Sequence, residues 1–165
     1  MTRFLAIGEC MIEMAPTEVG TYAMNFAGDT FNTAWYARKL AGTDVEIAYL
    51  SAVGDDDPSR QMTAFMEAAG VVPRLAVRPG GTVGLYMVSL KNGERSFSYW
   101  RSTSAAKSLA DDLTALPGLG AGDMAFFSGI TLAILSDAAR VKLLEVLAAA
   151  RAAGVTIAFD PNLRP

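Results

Sequence analysis

The chain has 165 residues, 52% hydrophobic and 19% charged, with a formal net charge of −3. That balance fits a globular domain with one sizeable core, and its mild acidity offers no basic footprint for nucleic acid or an anionic membrane. Histidine is absent and Cys10 is the single cysteine. Serine–histidine and cysteine–histidine nucleophiles, internal disulfides and the usual zinc sites are therefore excluded, and acid–base work falls to carboxylates. No apolar run approaches a membrane span and "MTRFLAIGECMIEMAP" shows no signal-peptide pattern, so a cytoplasmic protein is expected.

In chain order, "RFLAIG" at 3–8 is a short apolar run that predicts a buried strand, with Cys10 as a small buried hydrophobe after it. Residues 11–26 carry no helical period. "FAGDTFNTAWYARKLAG" at 26–42 predicts a helix in which Gly28 permits a tight turn and Asp29 or Thr30 caps. Phe31, Ala34 and Trp35 fall on one face, and Gly42 ends it. Residues 45–53 predict a strand, and after "GDDDPS" Pro58 opens a helix stopped by Gly70. "VVPRLAVR" is the next strand.

Further on, 123–129 and 155–160 read as strands around a helix capped by Ser136 and stopped by Gly154. Val141, Leu144, Leu147 and Ala148 recur there at helical spacing and predict its apolar face. Strands alternating with helices predict an α/β fold with a largely parallel sheet covered on both sides.

Residues 82–101 break that rhythm and read as a hairpin about Asn92-Gly93, a dipeptide suited to turns with positive φ at both centres. That bend sets Lys91 opposite Glu94, Val88 opposite Phe97, Tyr86 opposite Tyr99 and Gly84 opposite Arg101. Opposed residues share a face, so Tyr86, Tyr99 and Arg101 converge, Gly84 leaves room beside the guanidinium, and Leu85 and Trp100 point the other way. Two phenols and an arginine suit a polyhydroxylated molecule bearing a carboxylate, which arginine grips bidentately. The same pattern equally suits a solvated edge strand whose aromatics pair for stability. Asp29 and Asn32, at a helix mouth, either belong simply to a well-capped helix or offer hydrogen bonds to ligand hydroxyls.

The glycine–aspartate turn with "NTA" and a closing glycine resembles the first signature of the ribokinase-like (PfkB) carbohydrate kinases. "GECMIEM", "GDD" and "DPNLRP" follow in that family's order, and "YWRSTSAA" with "SGITLAIL" resembles its 2-keto-3-deoxygluconate kinase branch. Ala27, where a second glycine is common, and "DDDPSRQ", which lacks a glycine after "GDD", depart from the pattern without touching the expected contacts.

The resemblance implies a three-layer α/β/α fold with a small β-lid, formed here by about 12–26 and 82–101. It implies transfer of the γ-phosphoryl of ATP, with Mg²⁺, to the terminal hydroxyl of 2-keto-3-deoxygluconate. Matching positions assign Gly28, Asp29 and Asn32 to sugar hydroxyls, Tyr86 and Tyr99 to the sugar from the lid, and Arg101 to its carboxylate. Ile130 and Thr131 form the pocket floor, and Arg164 is a second positive contact supporting catalysis. Asp160 and Asn162 organise the turn or hydrated magnesium. Glu9 and Glu13, of which Glu13 is the preferred candidate, follow the first strand, where relatives keep a sugar-binding acid, although alternation equally puts Glu13 in solvent. A homo-oligomer through the lid of the full-length protein is expected.

"GAGD" at 120–123 is set aside as the family's base motif, because a strand follows it and no Asp-Thr precedes it. Asp123 is expected as a loop residue entering that strand. Family members run well beyond this length, so the general-base aspartate and nucleotide pocket are expected in a C-terminal half outside this chain, which alone is expected to be inactive. A neutral-sugar or nucleoside kinase, and a non-catalytic sugar-binding fragment, are the alternatives.

Overall fold

The computed structural model describes residues 1–91 and 94–163. Strand β1 (Thr2–Ile7) leads through β2 (Met11–Pro16) and β3 (Tyr22–Ala27) to helix α1 (Asp29–Leu40). Then come β4 (Val45–Val53), α2 (Asp57–Ala68), β5 (Val72–Val77), β6 (Leu85–Lys91), β7 (Glu94–Trp100) and a 3-10 turn at Ala105–Ser108. The described part ends with β8 (Met124–Ser128), α3 (Gly129–Ile134), α4 (Asp137–Ala152) and β9 (Thr156–Asp160).

The main sheet has the order β5-β4-β1-β8-β9, with every neighbouring pair parallel. Its strands are apolar on both sides, and their alternation feeds two cores. Ile47, Tyr49 and Val53 pack with Phe31 and Ala34 of α1 and Met62 and Met66 of α2. Ala48, Leu50 and Ala52 face the opposite layer, with Leu143, Val146 and Leu147 of α4. The architecture is therefore three-layer α/β/α, as expected. Each such fully buried aliphatic side chain contributes about 2 kcal/mol of transfer free energy.

One local expectation needs correction, and one short helix was not anticipated. The face of α4 turned inward is Ala139, Leu143, Val146 and Leu147, whereas Val141 and Leu144 are 56% and 44% exposed and Ala148 is exposed. This helix is rich in Ala, Leu and Val all round, so periodicity alone left the face ambiguous by one residue. Helix α3 directly follows β8 in "GITLAI", a run too short for periodicity to register.

A second sheet of four strands, ordered β3-β2-β6-β7, stands beside the first. Residues 11–26, without helical period, supply its antiparallel pair from Met11↔Ala27 to Pro16↔Tyr22. Strands β6 and β7 pair in the expected register, with Lys91 opposite Glu94, Val88 opposite Phe97 and Tyr86 opposite Tyr99. The bend residues Asn92 and Gly93 lie outside the described residues.

Strand order places the ligand site. Helix α1 follows β1 onto one face of the main sheet, and α4 follows β8 onto the other. Neighbouring β1 and β8 thus flank a switch point, where doubly wound sheets open a crevice beyond their carboxyl ends.

Candidate functional site

A cleft of about 500 Å³ opens at that switch point, between the N-terminal end of α1, the start of α3 and one face of the second sheet. Gly28, Asp29, Asn32, Glu13, Tyr86, Tyr99, Arg101 and Ile130, all anticipated, line it. The expected register therefore does bring the two phenols and the guanidinium to one surface. Their rings pack together, Tyr86 to Tyr99 at 5.9 Å between centroids, and the Arg101 guanidinium carbon sits 5.7 Å from the Tyr99 centroid. Leu85 and Trp100 share the face turned away from the cleft, where Leu85 packs onto the core and Trp100 is 58% exposed.

Two ion-bearing contacts fix this surface, one tying the end of β7 to the loop after β1 and one crossing between β6 and β2 within the second sheet. Arg101 donates from an η nitrogen to the carboxylate of Glu9, whose side chain is only 2% exposed against 26% for that of Arg101. Tyr86 donates its hydroxyl to Glu13. Burial, followed by acceptance of that hydrogen bond by Glu13, pushes the Tyr86 phenol well above its ordinary value. Burial also raises the Glu9 carboxyl, against the opposing pull of Ser104 and Arg101.

The α1 end is built differently from expectation. Gly28, rather than Asp29 or Thr30, is the N-cap, with no side-chain cap bond. Its backbone is extended, with φ of 175°, so it serves no left-handed turn. It serves close approach: a Cβ there would lie 2.2 Å from the Glu9 carbonyl oxygen. Thr30 is buried and bonds the Tyr49 hydroxyl at 2.9 Å. Asp29 is thereby released from capping, and its carboxylate accepts from the Ser128 hydroxyl and from the Asn162 side-chain amide.

Thr131 does not form the floor. It is 1% exposed and donates to the Ile7 carbonyl at 2.9 Å, because its place three residues into α3 directs it back over β1 as half of a capping box. Ile130 alone of that pair reaches the cleft. Asp160 accepts the backbone N–H of Asn162 at 2.9 Å, so this pair builds an Asx turn. No group of three histidine, cysteine, aspartate or glutamate side chains is gathered for a metal among the described residues. They form no dedicated protein cage, whereas magnesium that keeps its waters takes only one or two carboxylates beside substrate phosphates. Arg164 lies outside the described residues.

Asp123 enters β8 from its loop, accepting the N–H groups of Arg3 and Gly120. Desolvation raises its carboxyl, but those bonds and the Arg3 charge prevail and hold it below the ordinary range. It is a structural brace remote from the cleft, as its sequence context implied.

Sequence reasoning passed over Arg95, Met11 and Ser128. Arg95 lines the cleft with Phe97, one further step of the alternation that carries Tyr99 and Arg101. That same period of two was the signal that could have found it.

A doubly wound parallel sheet, with a small second sheet beside a polar cleft at its switch point, defines an α/β protein of the class whose sheets open ligand crevices there. The model of the pfkB family carbohydrate kinases matches residues 1–165, and the chain belongs to that family. It is 39% identical to 2-dehydro-3-deoxygluconokinase of Dickeya dadantii, across 96% of this chain and 53% of that protein. To 2-dehydro-3-deoxygluconokinase of Haemophilus influenzae it is 34% identical, across 100% of this chain and 54% of that protein. The chain thus spans about half the length of the curated relatives it matches. Fructokinase from Vibrio cholerae O395, in its apo form, superposes with a TM-score of 0.82 at 25% identity, over 99% of this chain and 55% of that one. The same fructokinase has been solved with fructose, ADP and calcium ion bound. No helix among the described residues is long and apolar enough to cross a membrane.

Proposed function

We propose that the full-length protein phosphorylates the terminal hydroxyl of 2-keto-3-deoxygluconate from ATP with Mg²⁺, and that this chain holds the sugar acid beneath the β6–β7 lid. The observation that carries the reading is the convergence of Tyr86, Tyr99 and Arg101 with Asp29 and Asn32 on one cleft. Phosphoryl transfer depends on holding the acceptor hydroxyl in line and keeping water out. In this reading Asp29, pinned by Ser128 and Asn162, and Asn32 take sugar hydroxyls, while the ring face of Tyr99 screens the sugar from solvent. The guanidinium of Arg101 takes the carboxylate. ATP and the metal supply the phosphoryl group and its charge neutralisation; the general base, the Arg164 contact and the nucleotide pocket belong to the part of the expectation that lies beyond the described residues.

One observation favours a neutral sugar instead. The cleft is lined by three carboxylates, Glu9, Glu13 and Asp29, against two guanidiniums, Arg95 and Arg101. Fructokinase of Vibrio alginolyticus is 28% identical across 99% of this chain. Calorimetric titration of the full-length protein separates the two, using 2-keto-3-deoxygluconate and 3-deoxyfructose, which carries a hydroxymethyl group in place of the carboxylate. The acidic reading expects the acid to bind more tightly and Arg101→Ala to abolish the preference. Equal binding of both, unchanged by Arg101→Ala, overturns it.

A further inference from the structure

Glu9 is an expensive residue for its place. Its side chain is 2% exposed, and its Oε1 makes no hydrogen bond of ordinary geometry among the described residues, although the equally unpaired Ser104 hydroxyl lies near enough to ease its charge. A buried carboxylate with an unsatisfied oxygen is costly wherever it is placed. Packing does not call for it, since a glutamine or leucine fills similar volume. What it does hold is Arg101, whose η nitrogen it accepts. The other guanidinium N–H groups of Arg101 have no protein partner among the described residues, and the residue lines the cleft.

The surroundings are sized for this pair. Gly84 lies against both partners, and a Cβ there would sit 2.8 Å from Glu9 Oε1 and 3.1 Å from Arg101 Cβ. The Glu9 backbone is itself fixed by the close approach of Gly28. An arginine arriving free from a strand end keeps many rotamers, and immobilising it is part of the cost of binding. Bound beforehand to a buried carboxylate, Arg101 presents its free edge in one orientation.

Resting on the acidic-sugar reading, we propose that Glu9 is a positioning residue that preorganises Arg101 for the substrate carboxylate. Its charge opposes an anion while its contact prepares the site. The two effects differ in sign, so they are separable. If Glu9 acted by charge alone, removing that charge would tighten acid binding; as a positioner, its loss weakens it.

The experiment is calorimetric titration of the full-length protein, with 2-keto-3-deoxygluconate and 3-deoxyfructose, for the parent, Glu9→Gln, Arg101→Ala, the double variant and Gly84→Ala. Glu9→Gln is expected to weaken acid binding about tenfold, the scale of one charge-assisted hydrogen bond, and to leave 3-deoxyfructose unchanged. In the Arg101→Ala background only the charge effect remains, so Glu9→Gln is expected to leave acid binding unchanged or slightly tighter there, never weaker. Gly84→Ala displaces the pair while keeping both charges, and is expected to weaken the acid in the same direction. Acid binding that is unchanged or tighter in Glu9→Gln, with Arg101→Ala weakening it, overturns the proposal while leaving the acidic reading intact. If Arg101→Ala also leaves acid binding unchanged, the acidic reading fails and this role with it. Should Glu9→Gln fail to fold by circular dichroism, Gly84→Ala decides alone, unchanged acid binding sinking the proposal.

Discussion

The side-chain amide of Asn162 donates to the Asp29 carboxylate at 3.0 Å, across 133 residues of sequence. The turn after the last strand of the main sheet is thereby fastened to the first turn of α1, at the edge of the cleft. Ser128 shares the same carboxylate oxygen. This leaves the other oxygen of Asp29 held in orientation for a ligand hydroxyl. Asn162→Ala is expected to weaken sugar binding a few-fold, about 1 kcal/mol, less than a full hydrogen bond to a charged group is worth, because Ser128 still holds Asp29. Titration of the sugar into variant and parent checks this. Asp29→Asn, which disturbs the knot and the ligand contact together, is expected to cost considerably more.

Gly28 makes a sharper structural prediction. A Cβ at this residue meets backbone rather than a movable side-chain tip, 2.2 Å from the Glu9 carbonyl oxygen. The start of α1 and the loop after β1 must then part. Gly28→Ala is expected to lower stability by about 1–3 kcal/mol, the usual cost of overpacking, and to widen the cleft. Thermal unfolding measures the first effect, and loss of sugar binding in the still-folded variant measures the second.

Asp56 caps α2, accepting the backbone N–H and hydroxyl of Ser59 and the hydroxyl of Thr82. Desolvation pushes its carboxyl up, but these hydrogen bonds outweigh it and hold the group below its ordinary value of 3.8. A depressed folded value means the ionised form supports the fold, in full above about pH 3.8 and decreasingly as the pH falls through the lower folded value. Asp56→Ala is expected to cost about 1 kcal/mol at neutral pH, as N-cap removals do. That cost shrinks in acid, and urea titrations of the pair at pH 7 and pH 3 read the difference directly.

Much of this fold was legible because its signals are local. Strand β4 was anticipated at its observed limits of 45–53, since a nine-residue apolar run between turn residues has few other uses. The hairpin register followed from Asn92-Gly93 alone, and with it the convergence of Tyr86, Tyr99 and Arg101. What stayed hidden depends on contacts distant in sequence. The buried face of α4 could not be chosen when several of its faces are apolar. Thr131 lay one residue from the cleft in sequence, yet the short helix α3 turned its hydroxyl to Ile7. Glu9 looked the weaker of two acids because only the folded chain shows Arg101, 92 residues later, closing on it.

Exposed Trp100 bears on assembly. It lies on the side of β7 away from the cleft, on an edge strand exposed along its length. An open strand edge carrying a large aromatic is a site for self-association. If the lid of one copy covers that of another, Trp100→Ser is expected to reduce the mass measured by light scattering of the full-length protein. An unchanged mass removes Trp100 from any such interface.

The same Glu9 that is proposed to prepare the site is also expected to weaken the fold. Burial raises its carboxyl above the ordinary value of 4.5, and the nearby Ser104 hydroxyl and Arg101 guanidinium only partly offset this. The folded protein therefore holds the proton more tightly than the unfolded chain, so ionising Glu9 subtracts stability. That loss is absent well below pH 4.5, sets in as the pH rises through 4.5, and is complete above the raised folded value. Glu9→Gln removes the titrating charge, while Arg101, a quarter exposed, retains access to water. Its melting temperature relative to the parent is accordingly expected to rise between pH 4 and pH 8 in scanning calorimetry. A relative melting temperature that is flat or falling over that interval would show that the ion pair repays its own desolvation. A rise, accompanied by weaker binding of the sugar acid, would identify Glu9 as a residue kept for the site at the expense of the fold.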